Sequence, residues 1–405
     1  MNIQPTGAAL AGVAKFDPAP TPRRSGRIDD LEGQLDALTR RARFAVIHAG
    51  SNASHGAVIH STVHTRSWKS YEPVAQDIAA ALRRIGCRDV AVLPEDMHLG
   101  ARLRAEATDL AWLNTGGVQG YDPVCHAPAM LELCGVPYVG HDPLIASTLD
   151  NKHAFKRELM ALGLPTARFT TWHMGRGPLV PAEARQFRKA FGEYDGPFIV
   201  KPVSGRASLH VHKIDNIADL PGCVAAVHEI TQNHVLIEEY LPGREFCVAV
   251  CGPVTAQGGR LERRDRPFAF SALERVLRPD EDIFTSMDVC PITQARLRVL
   301  DPAVDGALVA ELEQLARDVF NDMCLETLVR VDIRADAAGR LHVLEANPKP
   351  DLKAPADGRT NLVCAGLVRH GMDYDDLVLS LLADRIDTIF GQRRGTGHHL
   401  LSLVR

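Results

Sequence analysis

The spacing of apolar residues changes character along this chain, and each change marks a different kind of structure. Phe44-Ala-Val-Ile-His48 is a short apolar run; from Glu72 to Ile85 the apolar positions Val74, Ile78, Ala81, Leu82 and Ile85 share one helical face, and Gly86 stands where that helix should stop. Val90–Leu93 and Leu110–Leu113 read as two further strands with helical material between them, followed by a helix over Pro128–Cys134 and a strand at Pro137–Val139. Strands alternating with helices at this pitch predict a parallel, doubly wound sheet. A helix is expected over Lys152–Leu162, ended by Gly163. Beyond it, Pro197–Lys201, Leu209–Ile214 and His234–Glu238 alternate with turns, and with a helix over Leu220–Thr231 they predict a small antiparallel α+β unit.

A third region opens with the apolar run Phe246–Cys251. From Gln257 to Asp288 the periodicity is lost, which predicts either disorder or a functional lid. A helix over Asp305–Met323, two strands over Leu328–Arg334 and Leu341–Ala346 joined by a turn at Asp336–Gly339, and a helix over Asp375–Phe390 complete the pattern. The expected division is a poorly ordered N-terminal arm (1–40, without periodicity up to about Arg27), an α/β domain (41–150), a central subdomain (151–240), a C-terminal subdomain (241–392) and a weakly ordered tail (393–405).

Composition supports that reading and narrows the function. With 405 residues, 45% of them hydrophobic, the chain can bury two or three packed units. A formal net charge of -4 gives no global attraction to nucleic acid or an anionic membrane, so a small molecule is the expected partner. The nine cysteines form no CxxC pair and read as reduced core thiols. No signal sequence or membrane-length apolar stretch is visible, which gives a cytoplasmic expectation.

Chemistry concentrates in Arg330-Val-Asp332-Ile-Arg334, a turn, and His342-Val-Leu-Glu345-Ala-Asn347-Pro348. Alternate residues of paired strands share a face, so Arg330 and Asp332 point together, as do Glu345 and Asn347 on the neighbouring strand. Carboxylate and amide oxygens on a rigid sheet suit magnesium, and a neighbouring guanidinium suits a phosphoryl group or a developing oxyanion. The same pattern would also serve a hairpin with one charged outer face. Upstream, Lys201 ends an apolar strand before the small-residue turn Pro202–Ser208, whose backbone N–H groups could cradle phosphates. Glu238-Glu239-Tyr240-Leu241 leaves another strand just before Glu245; acids there could accept from an adenine amino group or a ribose hydroxyl, or form a solvated acidic patch.

Together these pieces resemble the D-alanine:D-alanine ligase branch of the ATP-grasp superfamily, from about Phe44 to Phe390. The matching stretches are Gly117–Gly120, Leu131–Gly140, Asp150-Asn-Lys152 with Lys156 behind it, Pro197–Pro202, Val235–Glu245, Arg330-Val-Asp332 and Leu344–Pro348. The resemblance implies an ATP-grasp fold of mixed α/β and α+β character: an N-terminal doubly wound parallel-sheet domain, a small central α+β lid domain and a C-terminal α+β domain. It implies an ADP-forming carboxylate-amine ligase working through an acyl-phosphate. Its substrates would be ATP and small carboxylates and amines, its cofactor two magnesium ions with manganese as a substitute, and its assembly a homodimer. Carried over by position, Lys152, Lys201 and Ser208 belong to the phosphates, Glu238, Glu239, Tyr240 and Leu241 to the adenine, and Glu245 to the ribose. Asp332, Glu345 and Asn347 belong to magnesium and Arg330 to the tetrahedral oxyanion, with Arg330 and Lys201 as the catalytic pair.

Departures from the family pattern point away from D-alanine as substrate. Where the family presents a Ser-x-Glu element, this chain has Ser61–Tyr71, in which Arg66, Trp68 and Lys69 favour an anionic or aromatic group. Leu113-Asn-Thr-Gly-Gly117 replaces a His-Gly segment, and Arg206, Ala207 and His210 alter the phosphate turn. Arg66, Trp68, Asn114, Gln119 and Asn361 are the expected substrate positions. A non-peptide amide ligase and a nucleotide-binding regulatory protein without catalysis are the alternatives.

Overall fold

The computed structural model describes residues 28–50, 70–120, 122–205, 208–279, 281–283, 296–356, 361–392 and 397–405. Its first unit runs α1 (Ile28–Arg41), β1 (Arg43–Ala49), α2 (Glu72–Arg84), β2 (Asp89–Glu95), α3 (Leu99–Ala105), β3 (Leu110–Asn114), α4 (His126–Cys134), β4 (Tyr138–Val139) and α5 (Pro143–Asp150). The strands are parallel, in the order β2-β1-β3-β4. The α2 stripe read from the sequence is the buried face, with Val74, Ile78, Ala81 and Leu82 inside.

The central unit contains α6 (Lys152–Leu162), β5 (Phe169–Trp172), α7 (Arg185–Phe191), β6 (Phe198–Pro202), β7 (His212–Ile214), α8 (Leu220–Thr231) and β8 (Val235–Glu239). Its antiparallel sheet, ordered β5-β8-β6-β7, has a core of its own in which Phe187, Phe191 and Phe198 pack with Val224 and Ile237. Helix α6 packs elsewhere: Phe155 and Leu159 are buried in the core of the third unit.

That third unit holds β9 (Glu245–Cys251), β10 (Val254–Gln257), β11 (Arg260–Arg263), β12 (Phe268–Arg275), β13 (Leu297–Val299), α9 (Pro302–Asp322), β14 (Val329–Ala335), β15 (Leu341–Asn347), α10 (Tyr374–Gln392) and α11 (His398–Val404). Its sheet is ordered β13-β12-β9-β14-β15. After Glu245, strand β9 is apolar from Phe246 to Cys251 because both faces are covered: Phe246, Val248 and Val250 share a core with α9, while Ala249 and Cys251 share one with α10. The core on the α10 side continues without a break into the first unit, joining Leu377, Val378 and Phe270 to Phe44, Ile78 and Leu31.

Three expectations need correction. Of the arm expected over 1–40, residues 1–27 lie outside those described, and Ile28 to Arg41 form α1, with Leu31, Leu35 and Leu38 buried. The aperiodic stretch from Gln257 to Asp288 contains ordered sheet, the end of β10, all of β11 and all of β12, so the disorder expected there does not hold for these strands, while Arg275 and Ile283 of the same stretch line the cleft described below. Gly258 (φ 57°) and Gly259 (φ 75°) make a two-residue hairpin turn between β10 and β11, and β12 pairs with β9 around a bulge at Ser271 (φ 50°). Residues 280 and 284–288 of that stretch lie outside those described. The tail after Arg393 contains α11, anchored by the buried Leu400.

Candidate functional site

A cleft opens between the central sheet and the sheet of the third unit. Of the expected site residues, Lys152, Lys201, Ser208, Glu238, Glu239, Tyr240, Leu241, Glu245, Asp332 and Glu345 line it. The fold brings these together from six separate stretches. Lys152 opens α6, whose first turn is fixed by the Asn151 side chain accepting from Ala154 N at 3.0 Å. From there its Nζ lies 3.1 Å from Glu345 Oε2 on β15 and donates to Gly205 O at 3.1 Å, in the turn after β6.

One wall is built on three charges. Glu238, only 2% exposed, is paired with Lys201 across the sheet and with Lys156 at 2.7 Å. Burial would raise the Glu238 carboxyl's pKa, but the two lysines outweigh burial and hold it below the usual carboxylate range. Burial likewise works against the charge of Lys201, and Glu238 and Glu345 overcome it.

The opposite wall follows from strand register. Arg330 pairs with Asn347 and Asp332 with Glu345 across β14 and β15, so all four residues sit at one end of the sheet. Arg330 grips Asp332 with two bonds, Nε to Oδ1 at 2.7 Å and the terminal nitrogen to Oδ2 at 2.9 Å. Arg275 donates to Asp332 Oδ2 at 2.9 Å and to Glu245 Oε1 at 2.8 Å, and Arg334 reaches Glu245 Oε2 at 3.3 Å. The Glu345 carboxyl, which burial would raise, is held down at about 2 by Lys152, Lys201 and Arg330. At the rim, the Tyr240 ring has Lys213 and Arg334 each about 5.0 Å from its centroid, and its hydroxyl donates to Asp282 O at 3.0 Å.

Other expected residues face elsewhere. Glu239 turns its carboxylate outward to Arg168, at 2.7 and 3.0 Å, so it meets the cleft without a free acidic group. Asn114 is buried and donates to Tyr71 O at 3.0 Å. Asn361 is spent on the backbone: it accepts from Val363 N and Cys364 N and donates to Lys353 O, capping the turn that follows. Arg330 and Asn347 stand behind Asp332 and Glu345 and, like Asn114, Gln119 and Asn361, are not among the residues lining the cleft. Arg66 and Trp68 lie outside the described residues.

Three residues of the site were given no role from sequence. Lys156 offered a signal, a cation on the buried α6 face beside Phe155 and Leu159. Arg275 offered none, because the strand that carries it was hidden in the aperiodic stretch. Arg334 was legible only as a face-mate of Asp332.

Among the described residues no three His, Cys, Asp or Glu side chains gather as a metal cluster. The chain supplies instead two carboxylates in direct register and one amide, Asn347, whose Oδ1 accepts from Lys349 N at 3.1 Å. Both Asp332 oxygens already accept from Arg330 and Arg275, so a hard divalent cation here would share that carboxylate with the guanidinium groups and take its remaining oxygens from a bound phosphate; the set is too sparse for an ion held by protein alone. No helix among the described residues is long and apolar enough to cross a membrane.

Comparison with known proteins converges on one family. The family described as D-ala D-ala ligase C-terminus matches residues 159–383, over half of the chain. A D-alanine–D-alanine ligase of Pseudomonas putida (strain GB-1) is 26% identical over 362 residues, covering 89% of this chain and 98% of its own. One from Streptomyces griseus is 28% identical over 289 residues, covering 69% of each. Among solved structures, the D-alanine–D-alanine ligase from Bacillus anthracis complexed with ATP superposes with a TM-score of 0.60 at 16% identity, covering 87% of this chain and 99% of that one.

Proposed function

The chain belongs to the D-ala D-ala ligase C-terminus family and is an ADP-forming carbon–nitrogen ligase of ATP-grasp fold, and from that premise we propose that its cleft binds ATP and magnesium and joins two amino acids, at least one of them other than D-alanine. The observation that carries this reading is the facing of two lysines, Lys152 and Lys201, by the register-paired carboxylates Asp332 and Glu345 across one cleft.

In this reading Glu238 accepts from the adenine amino group, Tyr240 and Leu241 border the base, and Glu245 holds the ribose, itself held by Arg275 and Arg334. Lys152 and Lys201 meet the phosphates, with Ser208 in the turn beside them. Magnesium held by Asp332, Glu345 and Asn347 would supply charge neutralisation at the phosphates. The first substrate's carboxylate attacks the γ-phosphorus, the bond to ADP breaks, and an acyl-phosphate forms. The second substrate's amine then attacks the acyl carbon, phosphate leaves, and the amine gives up its proton. Arg330 faces the oxyanion of that second step, its fork fixed by Asp332.

Support for a substrate beyond D-alanine comes from the first unit. Asn114 stands in the segment where the family carries an imidazole, and it is turned to Tyr71 O. Homodimer assembly and a cytoplasmic setting complete the proposal.

The test is phosphate release with ATP and magnesium against L- and D-amino acids and small acids, singly and in pairs, with mass analysis of products. The expected result needs two substrates and yields their sum minus water. Turnover with D-alanine alone, and with no acidic or aromatic partner, would remove the substrate proposal. Asp332→Asn is expected to lower kcat by about a hundredfold or more, the scale of losing a main electrostatic contact at the reacting group.

A further inference from the structure

Lys156 stands behind the cleft and does not line it. Its side chain is completely buried, its Nζ is 2.7 Å from Glu238 Oε1, and it donates to Thr166 Oγ1 at 2.6 Å. Thr166 passes the connection on to Val343 O at 2.8 Å, on the strand that carries Glu345. Helix α6 packs with the third unit, whereas Lys201 and Glu238 belong to the central sheet, so the Lys156–Glu238 contact crosses between the two.

The charges of this triad sum to one positive. Were Glu238 to face Lys201 alone, the two would neutralise each other, and an incoming phosphate would have to compete with a buried carboxylate for Lys201. An uncharged side chain would fill the Lys156 site at a lower desolvation cost, so its cation is to be explained by what it does to its partners. We propose that Lys156 is a positioning residue of the cleft: it neutralises Glu238 from the protein side and so leaves the charge of Lys201 to the phosphates of the nucleotide. The inference rests on the reading of the cleft as an ATP site.

Calorimetric titration of the full-length protein with ATP and, separately, with adenosine tests it. Lys156→Met is expected to weaken ATP about tenfold, equivalent to ~1.4 kcal/mol, while adenosine changes by less than about threefold. Adding Glu238→Gln to Lys156→Met should recover part of the ATP affinity, because Lys201 is again without a buried competitor. Equal weakening of both ligands would make Lys156 plain scaffold and overturn the proposal, as would no change in either or no recovery in the double variant. If circular dichroism shows that Lys156→Met does not fold, Lys156→Gln decides, since it keeps a hydrogen-bonding group beside Glu238 and Thr166 without the charge: ATP must weaken about tenfold more than adenosine, and equal or no weakening overturns the proposal. Unaltered protein that fails to bind ATP would remove the nucleotide reading itself, whereas binding that ignores Lys156 removes only this inference.

Discussion

His141 is a buried histidine whose charge state is set by the packing around it. It is 4% exposed, with Nε2 3.3 Å from Leu328 O, between the first and third units. Burial pushes its pKa down to about 4, and the Leu328 carbonyl and Asp142 only partly oppose this. A folded-state value below the unfolded one of roughly 6.5 means that folding favours the neutral ring. The resulting stability is complete above about pH 6.5 and is lost as pH falls toward 4, a swing of up to about 3 kcal/mol. Melting temperature measured between pH 7 and pH 4.5 should therefore fall less steeply in His141→Gln than in the unaltered protein; parallel curves would show that His141 does not titrate on unfolding. Glu345 behaves oppositely: held down at about 2, it stays ionised across that range, so loss of activity near pH 5 would have another source.

At the level of elements, legibility followed the number of exposed faces. Helices α2, α6 and α8 have one apolar stripe each, and their periodicity gave them away. Strand β12, buried along most of its length, shows no alternation, and the charges on either side of it masked its run of Phe268, Ala269 and Phe270. The β10–β11 hairpin carried a local signal, Gly258-Gly259, that the loss of periodicity obscured. That hairpin is held by α10 through polar groups: Asp376 accepts from Gly258 N and Gly259 N, Ser380 from Ala256 N, and Asp384 from Val254 N. A Cβ on Gly252 would lie 1.8 Å from Asp384 Oδ2. Gly252→Ala must push Asp384 off the Val254 N–H and leave buried polar groups unmatched, at a cost of about 2 kcal/mol. Chemical denaturation checks this, and an unaltered midpoint would mean that the carboxylate has another place to go. Within the site, the chemistry of Asp332 and Glu345 was readable because β pairing fixes which residues share a face. The role of Arg275 was not, since its strand was unseen.

Across the whole molecule, apolar packing and polar contact are divided unequally. The first and third units share a continuous core, while the central sheet has its own, with Lys152, Lys156 and Thr166 making polar connections across the gap. Interfaces of that kind permit rigid-body movement of one lobe against the other. In hydrogen exchange, amides of β5, β6 and β8 are expected to gain protection when ATP is added, more than those of β1 or β9; uniform change across the three units would show that the central sheet does not move by itself. The three-part division was visible in the sequence, but the common core was not, because it joins α1 and α2 to α10 across some three hundred residues of chain. This common core also sets the terms for recombination with a relative. Exchanging the first unit alone would strand Leu377, Val378 and Ile386 against a foreign surface, so a working chimera must take α10 and α11 along with it, and the sheet bounded by Phe169 and Glu239 is the natural cassette.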